Sequence, residues 1–424
     1  MKAAPKHPRI STLLMRACTV VLCLALAFVL AAAPAERRLA RSDEAYAYPI
    51  QPGSPEWEAL DSHAAMLRAT SVPQARLRGM TTRALAETVL TYPLFGDVFA
   101  YNTAQTGFDA VRAQSPAVEA LLQRKDAGSV LLLRYQSMHP ADAIDLATDQ
   151  ARGAFDAEFT AIETVLAQPE IQASLSPSER DQLLRTAVAI ADAKAQVPDV
   201  YGSYGVERTA LVVGRLRATA FHDTDIETFL KDGGYLPDDK AELLLRMSSE
   251  AIRVPSPSLR VGPTDYRAEV LTPRKSRVEV IARDFELTRV QITQANDFVR
   301  TRYPKAVRET DASRRYNCHS YAWYSQSTSN TYWMNSPGDD TYWKDGSYLL
   351  ITSVNGGKPI PNTVPDNAKV SYPMGDHSAI KISSTELRSK WGELPRMRHQ
   401  PGYSPYACGA STACSFILNY YRAR

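Results

Sequence analysis

The sequence contains few residues that could bind a metal. Of its 424 residues, five are cysteine and seven are histidine. His63, His139 and His222 stand far apart in the chain, so they lack the spacing at which histidines of one helix share a metal. No other cluster has ligand spacing, and no cofactor motif is present. The sequence therefore predicts neither a metal nor a cofactor.

The chain also lacks a strong net charge. Its 49 Lys and Arg residues nearly balance 46 Asp and Glu residues, which leaves a formal charge of +3. Residues 1–35 contain four basic residues and no acidic one, so the formal charge of the remaining chain is −1. Phosphate binding needs a concentrated basic surface. The composition therefore argues against nucleic acid as the main partner.

Residues 1–35 have the pattern of a secretory signal peptide. Basic residues precede an uncharged apolar run from Ala17 to Ala33. We place the cleavage after Ala35, because a cut after Ala33 would leave Pro34 directly behind it. The alternative is an uncleaved anchor, since the run approaches the length that spans a ~30 Å hydrocarbon core. Either way we expect the rest of the chain to be secreted, free or attached to the cell wall, and to meet the membrane only through this segment.

Cleavage would remove Cys18 and Cys23 and leave Cys318, Cys408 and Cys414. An odd number of cysteines in an oxidising compartment leaves at least one thiol without a partner in the chain. Cys408 and Cys414 lie in YACGASTACSF, whose small residues can close a tight loop, so we predict that these two form a disulfide. Cys318 is then the unpaired thiol. The alternative is a disulfide from Cys318 to one of the other two.

Residues 50–253 have the pattern of an all-α helical bundle. Ser-Pro pairs begin at Ser54, Ser115 and Ser176, and each places a serine N-cap before a proline that the first helical turn tolerates. Ser176 and Glu179 have the spacing of a capping box. We predict six to eight helices and assign their apolar residues to the core. The clearest apolar stripe at helical spacing comprises Leu183, Leu184, Ala187, Val188 and Ala191,.

A polar, proline-rich stretch predicts a linker over 254–284, followed by a second domain over 285–424. The second domain begins with an amphipathic helix within Leu287–Pro304. Further on, Lys369–Tyr372 alternates like a strand. The sequence therefore predicts an α+β protein, in which a helical bundle precedes a domain of one helix packed on a small antiparallel sheet.

The segment RRYNCHSYAWY, residues 314–324, sets Cys318 beside His319. Asn317 is a good N-cap, so Cys318 is predicted in the first turn of a short buried helix. There the helix dipole and free N–H groups favour a thiolate, and the N–H of Cys318 can donate to an oxyanion. His319 is not predicted as the base, because adjacent helical residues point about 100° apart. We expect it to be structural.

A base is predicted in the segment NAKVSYPMGDHSAIKIS, where His377 opens a strand after a turn. From that position an imidazole can reach the thiol of Cys318 at about 2.6–3.2 Å. A third group usually holds the base in one tautomer. We choose His399, on the next predicted strand, ahead of Glu393 and Asp376. The alternative for His377 is an ordinary loop histidine.

The aromatic residues of the segment 328–365 allow two interpretations. They could line a cleft for a peptide or glycan, or form the core of a small β-rich domain. These residues are Tyr332, Trp333, Tyr342, Trp343 and Tyr348.

The segments YNCHSYAW and DHSAI, with the strand that follows, resemble papain-like cysteine hydrolases of bacterial cell walls, the NlpC-type and CHAP-type peptidases and amidases. The resemblance covers residues 285–424, about a third of the chain. It implies Cys318 as nucleophile, His377 as base and His399 as orienting residue. The usual Asp or Gln before the cysteine is Asn317 here, and Thr328–Pro365 is longer and more aromatic than in that family.

The resemblance and the signal peptide together imply a secreted cysteine peptidase or amidase that hydrolyses amide bonds through a thioester. Peptidoglycan stem peptides, or another peptide, are the expected substrate. One alternative is a cysteine acyltransferase or transglutaminase-like enzyme. Another is a non-catalytic binding or adhesive module with an inert Cys318. No feature of the sequence indicates an oligomeric state.

Overall fold

The computed structural model describes residues 42–257, 265–373, 376–407 and 416–424. These residues are mixed helix and sheet, so the α+β fold class is confirmed. The predicted signal peptide and the predicted Cys408–Cys414 disulfide lie outside the described residues. Within the described ranges, no helix has both the length and the apolar character needed to cross a membrane.

Thirteen α-helices lie between residues 55 and 252 of the described chain. Eight have nine or more residues, whereas five have only four to seven. The prediction of six to eight helices was wrong in number, because a helix of one or two turns is too short to show a 3.6-residue period. The helices are α1 Pro55–Glu58, α2 His63–Ala69, α3 Gln74–Gly79, α4 Thr82–Leu90, α5 Ala104–Gln114, α6 Pro116–Leu122, α7 Ala127–Gln136, α8 Asp149–Leu166, α9 Pro169–Ala173, α10 Pro177–Ala195, α11 Pro198–Leu216, α12 Thr224–Asp232 and α13 Asp238–Ile252.

The predicted serine caps are largely present. The Ser54 side chain accepts from the backbone N–H of Trp57, and Ser176 forms the predicted capping box with Glu179. Ser115 also occupies an N-cap position, but its side chain makes no cap hydrogen bond. The Ser-Pro pattern therefore located three helix starts correctly.

The remaining elements form two antiparallel sheets around two further α-helices. The smaller sheet has the order β1–β2–β4, and the larger has the order β3–β9–β8–β7–β6–β10–β5. Strands β6 to β9 are therefore consecutive neighbours in one antiparallel meander. The elements are β1 Tyr266–Leu271, β2 Arg277–Ala282, α14 Arg289–Arg302, β3 Val307–Arg308, β4 Tyr332–Trp333, α15 Thr341–Lys344, β5 Tyr348–Asn355, β6 Lys369–Tyr372, β7 His377–Lys381, β8 Leu387–Lys390, β9 Arg396–His399 and β10 Ile417–Ala423.

The predicted linker over 254–284 contains a β-hairpin instead of an extended connection. Strands β1 and β2 pair in antiparallel register, with Tyr266 opposite Ala282. Val278 and Val280 face the core, whereas Arg277 and Glu279 are exposed. Of the residues that suggested a linker, Pro273 belongs to the turn of this hairpin, and Arg277 and Glu279 to its solvent-facing side.

The predicted amphipathic helix is present as α14. Its N-terminus carries a capping box between Thr288 and Gln291, and Tyr303 is its C-cap, immediately before Pro304. Both ends therefore lie where the sequence placed them.

One apolar core extends through both predicted domains. It contains Trp57, Phe108 and Phe159 from the helical part, together with Trp391 and Tyr420 from the C-terminal part. Residues 42–424 accordingly form one compact unit. The division into a domain over 50–253 and a domain over 285–424 stays a prediction.

A buried ion pair lies inside the helical part. The Nζ atom of Lys194 lies 2.7 and 2.8 Å from the two carboxylate oxygens of Glu163, and neither side chain is exposed. Glu163 also accepts from the hydroxyls of Tyr135 and Thr209, each at 2.7 Å. Such a pair is stable in the interior because every polar atom has a partner.

We therefore expect Lys194→Ala to lower the free energy of unfolding by about 3–5 kcal/mol, because the substitution leaves the Glu163 carboxylate buried without its cation. Urea denaturation followed by circular dichroism measures this loss. Lys231→Ala, at an exposed position of α12, is the control and should change stability by at most about 0.5 kcal/mol. Similar losses in the two variants would contradict the role given to the ion pair.

Candidate functional site

Cys318 opens a short helix, as the sequence predicted. The side-chain oxygen of Asn317 accepts from the backbone N–H of Ser320 at 3.1 Å, which makes Asn317 the N-cap,. The helix begins at Cys318 and continues as a π-helix over Ser320–Tyr324. Cys318 is a free thiol with 1% of its surface exposed. In this structure it is therefore not half of a disulfide.

The Cys318 helix lies between the two sheets. Tyr321 and Trp323 pack in a second apolar core with Val280 of β2, Ile380 of β7 and Tyr421 of β10. These apolar contacts, together with the hydrogen bond from Trp323 to the Ser378 hydroxyl, hold the helix against the face of β7 that carries Ser378 and Ile380.

His319 has hydrogen-bond partners at both ring nitrogens. Its Nδ1 lies 2.8 Å from the Ser378 hydroxyl and 3.0 Å from an Asp339 carboxylate oxygen, and its Nε2 lies 3.1 Å from Asp376. Burial alone would lower the pKa of His319, but the charge of Asp339, the neighbouring Cys318 and the hydrogen bonds to Asp339 and Asp376 raise this pKa well above its usual value. His319 is therefore a buried imidazolium that donates from both nitrogens, in agreement with the structural role expected for it.

Asp376 connects His319 to the helical part of the chain. It adopts a left-handed backbone conformation with φ of 44°, which Asp tolerates better than most residues,. Its second carboxylate oxygen accepts from the side-chain amide of Asn102 at 2.8 Å. Burial raises the pKa of Asp376, but the hydrogen bond and charge of His319 outweigh this effect and lower it. Asp376 is therefore an anion shared by two partners.

Asn102, from the segment before α5, lies against the thiol. Its side-chain oxygen accepts from the amide of Asn317 at 2.7 Å and lies 4.0 Å from Cys318 Sγ. Next to it, the Tyr101 hydroxyl donates to the Pro405 carbonyl at 3.1 Å. The helical part thus covers the cysteine, and the site is closed in this conformation.

His377 begins β7, as predicted, and its ring is buried without a hydrogen bond. Neither ring nitrogen has a partner among the described residues, and the residue is 1% exposed. The ring stacks on Tyr406 with centroids 3.4 Å apart and meets Tyr372 edge-on at 4.9 Å. Burial lowers the pKa of His377 well below its usual value, and the charges of His399 and His319 lower it further. His377 is thus a neutral imidazole whose nitrogens are free to accept a proton, and the lowered pKa makes it a weaker base than an ordinary histidine,.

Within the described chain, no hydrogen bond joins Cys318 to His377. Tyr372 and Tyr406 both contact the His377 ring. Burial raises the pKa of each tyrosine, and Cys318 contributes in the same direction.

His399 does not contact His377 by a hydrogen bond. Its Nδ1 donates to the Gln400 carbonyl at 2.9 Å, so its Nε2 accepts from the Ser389 hydroxyl at 2.9 Å. Burial lowers the pKa of His399 to about 4, against the opposing effect of the Gln400 hydrogen bond. The placement of His399 on the strand after that of His377 was wrong, because the short strand β8 lies between β7 and β9.

The other two candidates for the third residue are engaged elsewhere. Glu393 accepts from the hydroxyl of Tyr204, and Asp376 bonds to His319 and Asn102. Within the described residues, no side chain hydrogen-bonds to the ring of His377. Stacking on Tyr406 is what positions this ring instead.

The aromatic residues of the segment 328–365 are buried or partly buried, and all of them except Trp333 lie in or against the second core. Trp333 and Tyr342 are each 1% exposed, and Tyr332, Trp343 and Tyr348 pack against the core as partly buried residues. The core interpretation therefore fits this structure, and the cleft interpretation does not.

Comparison with known proteins yields no match. No family model, no curated protein and no solved structure matches the chain. Within the described residues, no group of three or more His, Cys, Asp or Glu side chains could hold a metal ion. The proposals below therefore depend on the side-chain geometry and on the resemblance given above.

Four residues of the site escaped the sequence analysis: Asn102, Asp339, Ser378 and Tyr406. Ser378 directly follows His377, and its polar side chain next to a strand histidine is a local signal that could have been used. Asn102 carries no such signal, because its bond to Asn317 joins residues 215 positions apart.

We expect Asn102→Ala to increase the rate at which iodoacetamide alkylates Cys318 in the folded protein. The substitution removes the amide that covers the thiol and that binds both Asn317 and Asp376. Mass spectrometry of the labelled peptide over time measures the rate. Asn355→Ala, at an exposed position at the end of β5, is the control. Equal rates in the two variants would show that Asn102 does not close the site.

We expect NMR of the imidazole nitrogens to show His319 protonated and His377 neutral at neutral pH. A raised pKa keeps His319 charged as the pH rises through its usual value of 6.5, whereas a lowered pKa keeps His377 neutral below that value. Asp339→Asn should bring the pKa of His319 down, because it removes one anion. A neutral His319 in the unsubstituted protein at neutral pH would contradict this electrostatic description.

Proposed function

We propose that this chain is a cysteine hydrolase in which Cys318 attacks an amide carbonyl and His377 acts as general base. The observation that carries the proposal is the His377 ring, which is buried, neutral and free of partners at both nitrogens. A buried polar group without a hydrogen-bond partner costs free energy, so a catalytic role is one explanation for such a group. The free thiol of Cys318, on a helix that packs on the same strand β7, is the nucleophile that we assign to it.

The proposed reaction has two steps. His377 accepts the thiol proton of Cys318, the sulfur attacks the carbonyl carbon, and the resulting imidazolium protonates the leaving amine as the thioester forms. His377 then accepts a proton from water, which attacks the thioester and releases the carboxylic acid with the restored thiol. The backbone N–H of Cys318 is the proposed donor to the oxyanion of both steps.

The arrangement of elements supports a papain-like C-terminal part after an N-terminal helical bundle. A cysteine opens a helix that packs on an antiparallel sheet, and a histidine begins β7 of that sheet. The free state of Cys318 favours this reading over a module with a disulfide-bonded cysteine. His399 differs from the expected third residue, since its hydrogen bonds go to Ser389 and Gln400. We therefore propose a Cys-His pair, with Tyr406 positioning the imidazole.

Peptidoglycan stem peptides are the proposed substrate, and secretion through residues 1–35 is the proposed route to it. The resemblance to cell-wall hydrolases supports both. The closed site adds a condition, because Cys318 and His377 are each 1% exposed. A substrate can reach them after the segment carrying Tyr101 and Asn102 moves away from the Cys318 helix.

Incubation with purified peptidoglycan, followed by mass spectrometry of the released fragments, tests the proposal. Cys318→Ala should abolish fragment release, and His377→Gln should lower kcat/KM by about 10²–10⁴, the usual contribution of a general base. His222→Gln, at an exposed position of the helical part, should leave activity unchanged. His399→Gln should have a smaller effect than His377→Gln, because its bonds do not reach the His377 ring.

Identical fragments from the unsubstituted protein and from Cys318→Ala would reject the hydrolase proposal on this substrate. Thermal unfolding of each variant shows whether a loss of activity reflects a loss of folding. An added primary amine distinguishes the transferase alternative, since that enzyme would join the amine to the acyl group and a hydrolase would leave it unused.

A further inference from the structure

A cavity of about 240 Å³ lies between α8, α14 and the turn after α4. None of the residues that contact Cys318 or His377 lines it. Its wall is mostly apolar, with Phe95, Ala157 and Phe298 among the lining residues. Ala154 and Glu158, which also line it, are exposed, so the cavity opens to solvent along α8.

Asp156 places a carboxylate in this apolar wall. The residue is 6% exposed and lines the cavity. Its Oδ2 accepts from the Gln291 amide at 3.1 Å, whereas its Oδ1 has no partner among the described residues. Gln291 cannot serve both oxygens, because it also donates to Tyr201 and accepts from Thr288 in the capping box of α14. The wall therefore presents one unused acceptor in a buried position.

The cations around Asp156 are already engaged. Lys194 of α10 is bound by Glu163, and Arg208 of α11 donates to Tyr204. Arg302 of α14 lines the cavity and donates to the Pro93 carbonyl and to Thr301. A buried carboxylate that lacks its own counter-ion is stabilised most by a ligand that carries a positive charge.

The acidic groups near the cavity are also accounted for. Glu158, at the rim, pairs with Arg134, and Glu393 accepts from Tyr204. The pKa of Asp156 is raised to about 6, mainly by burial. The charge of Glu163 acts in the same direction, whereas the charge of Lys194 and the hydrogen bond from Gln291 lower this pKa. Near neutral pH, Asp156 can therefore lose its proton when a cation binds beside it.

We propose that this cavity binds a small amphipathic amine. The protonated amino group of the ligand donates to Asp156 Oδ1, and its apolar body lies against Phe298, Phe95 and Ala157. Small-molecule sites combine an apolar wall with few polar groups in this way, and their volumes start at about 300 Å³. The size of this cavity therefore suits a ligand of about one ring. The proposal is independent of the reaction proposed for Cys318.

Isothermal titration calorimetry with phenethylamine tests the proposal, with phenethyl alcohol as the neutral analogue. The unsubstituted protein should bind the amine more tightly than the alcohol. The affinity for the amine should be about tenfold weaker at about pH 5 than at about pH 8, because protonation of Asp156 then competes with the ligand. The affinity for the alcohol should not follow this pH dependence.

Two variants separate the carboxylate from the apolar wall. Asp156→Asn should weaken amine binding at least about tenfold and remove its pH dependence, since the charged hydrogen bond is lost. Ala157→Phe should fill the cavity and abolish binding of both probes. Asp149→Asn, at the start of the same helix and outside the cavity lining, is the matched control and should retain the affinity within about twofold,.

Thermal unfolding establishes that each variant is folded. If Asp156→Asn fails to fold, the pH dependence of amine binding and the result with Ala157→Phe still test the proposal. No binding of millimolar phenethylamine by the folded, unsubstituted protein would overturn the proposal. Equal affinity of Asp156→Asn and the unsubstituted protein for the amine would also overturn it.

Discussion

The buried charge of His319 is the interaction on which the geometry of the Cys318 site depends. Its ring joins three parts of the chain: the helix that starts at Cys318, the acidic residue Asp339 and the turn that ends at Asp376. A buried ion is stable only where opposite charges and hydrogen bonds surround it. These partners therefore fix the start of the helix relative to β7, and with it the position of the thiol relative to His377.

The same arrangement gives two neighbouring histidines opposite protonation states. His319 is surrounded by carboxylates and stays charged, whereas His377 is surrounded by aromatic rings and stays neutral. The charge on His319 itself lowers the pKa of His377. Environment, and not residue type, thus decides which imidazole can accept a proton. The base that we propose is the histidine that lacks polar partners, while its neighbour His319 is held by hydrogen bonds at both nitrogens.

Features set by a few adjacent residues could be predicted from the sequence. The cap at Asn317, the capping box at Ser176 and the start of β7 at His377 all depend on short-range hydrogen bonding or alternation, and all three are present. The α+β class followed from the change in pattern between the two parts of the chain. Helices of one or two turns escaped, because their few residues do not complete a period.

Features set by tertiary packing could not be predicted. Strand β8 has only four residues, too few to show a clear alternation of apolar and polar residues. The sequence analysis therefore missed this strand and placed His399 on the strand next to that of His377. The hairpin in the expected linker was hidden because its exposed face is polar. Asn102 reaches the site only because the helical part folds against the C-terminal part, a contact that no local pattern encodes.

The contact between Asn102 and the Cys318 helix has a genetic consequence. Both parts of the chain contribute to one apolar core, and the helical part supplies a residue that touches the thiol. A substitution that shifts the segment before α5 would therefore change the surroundings of the thiol, as a substitution next to Cys318 would. Substitutions that alter the surroundings of Cys318 should therefore be found scattered through the N-terminal half of the gene, far in sequence from the thiol itself.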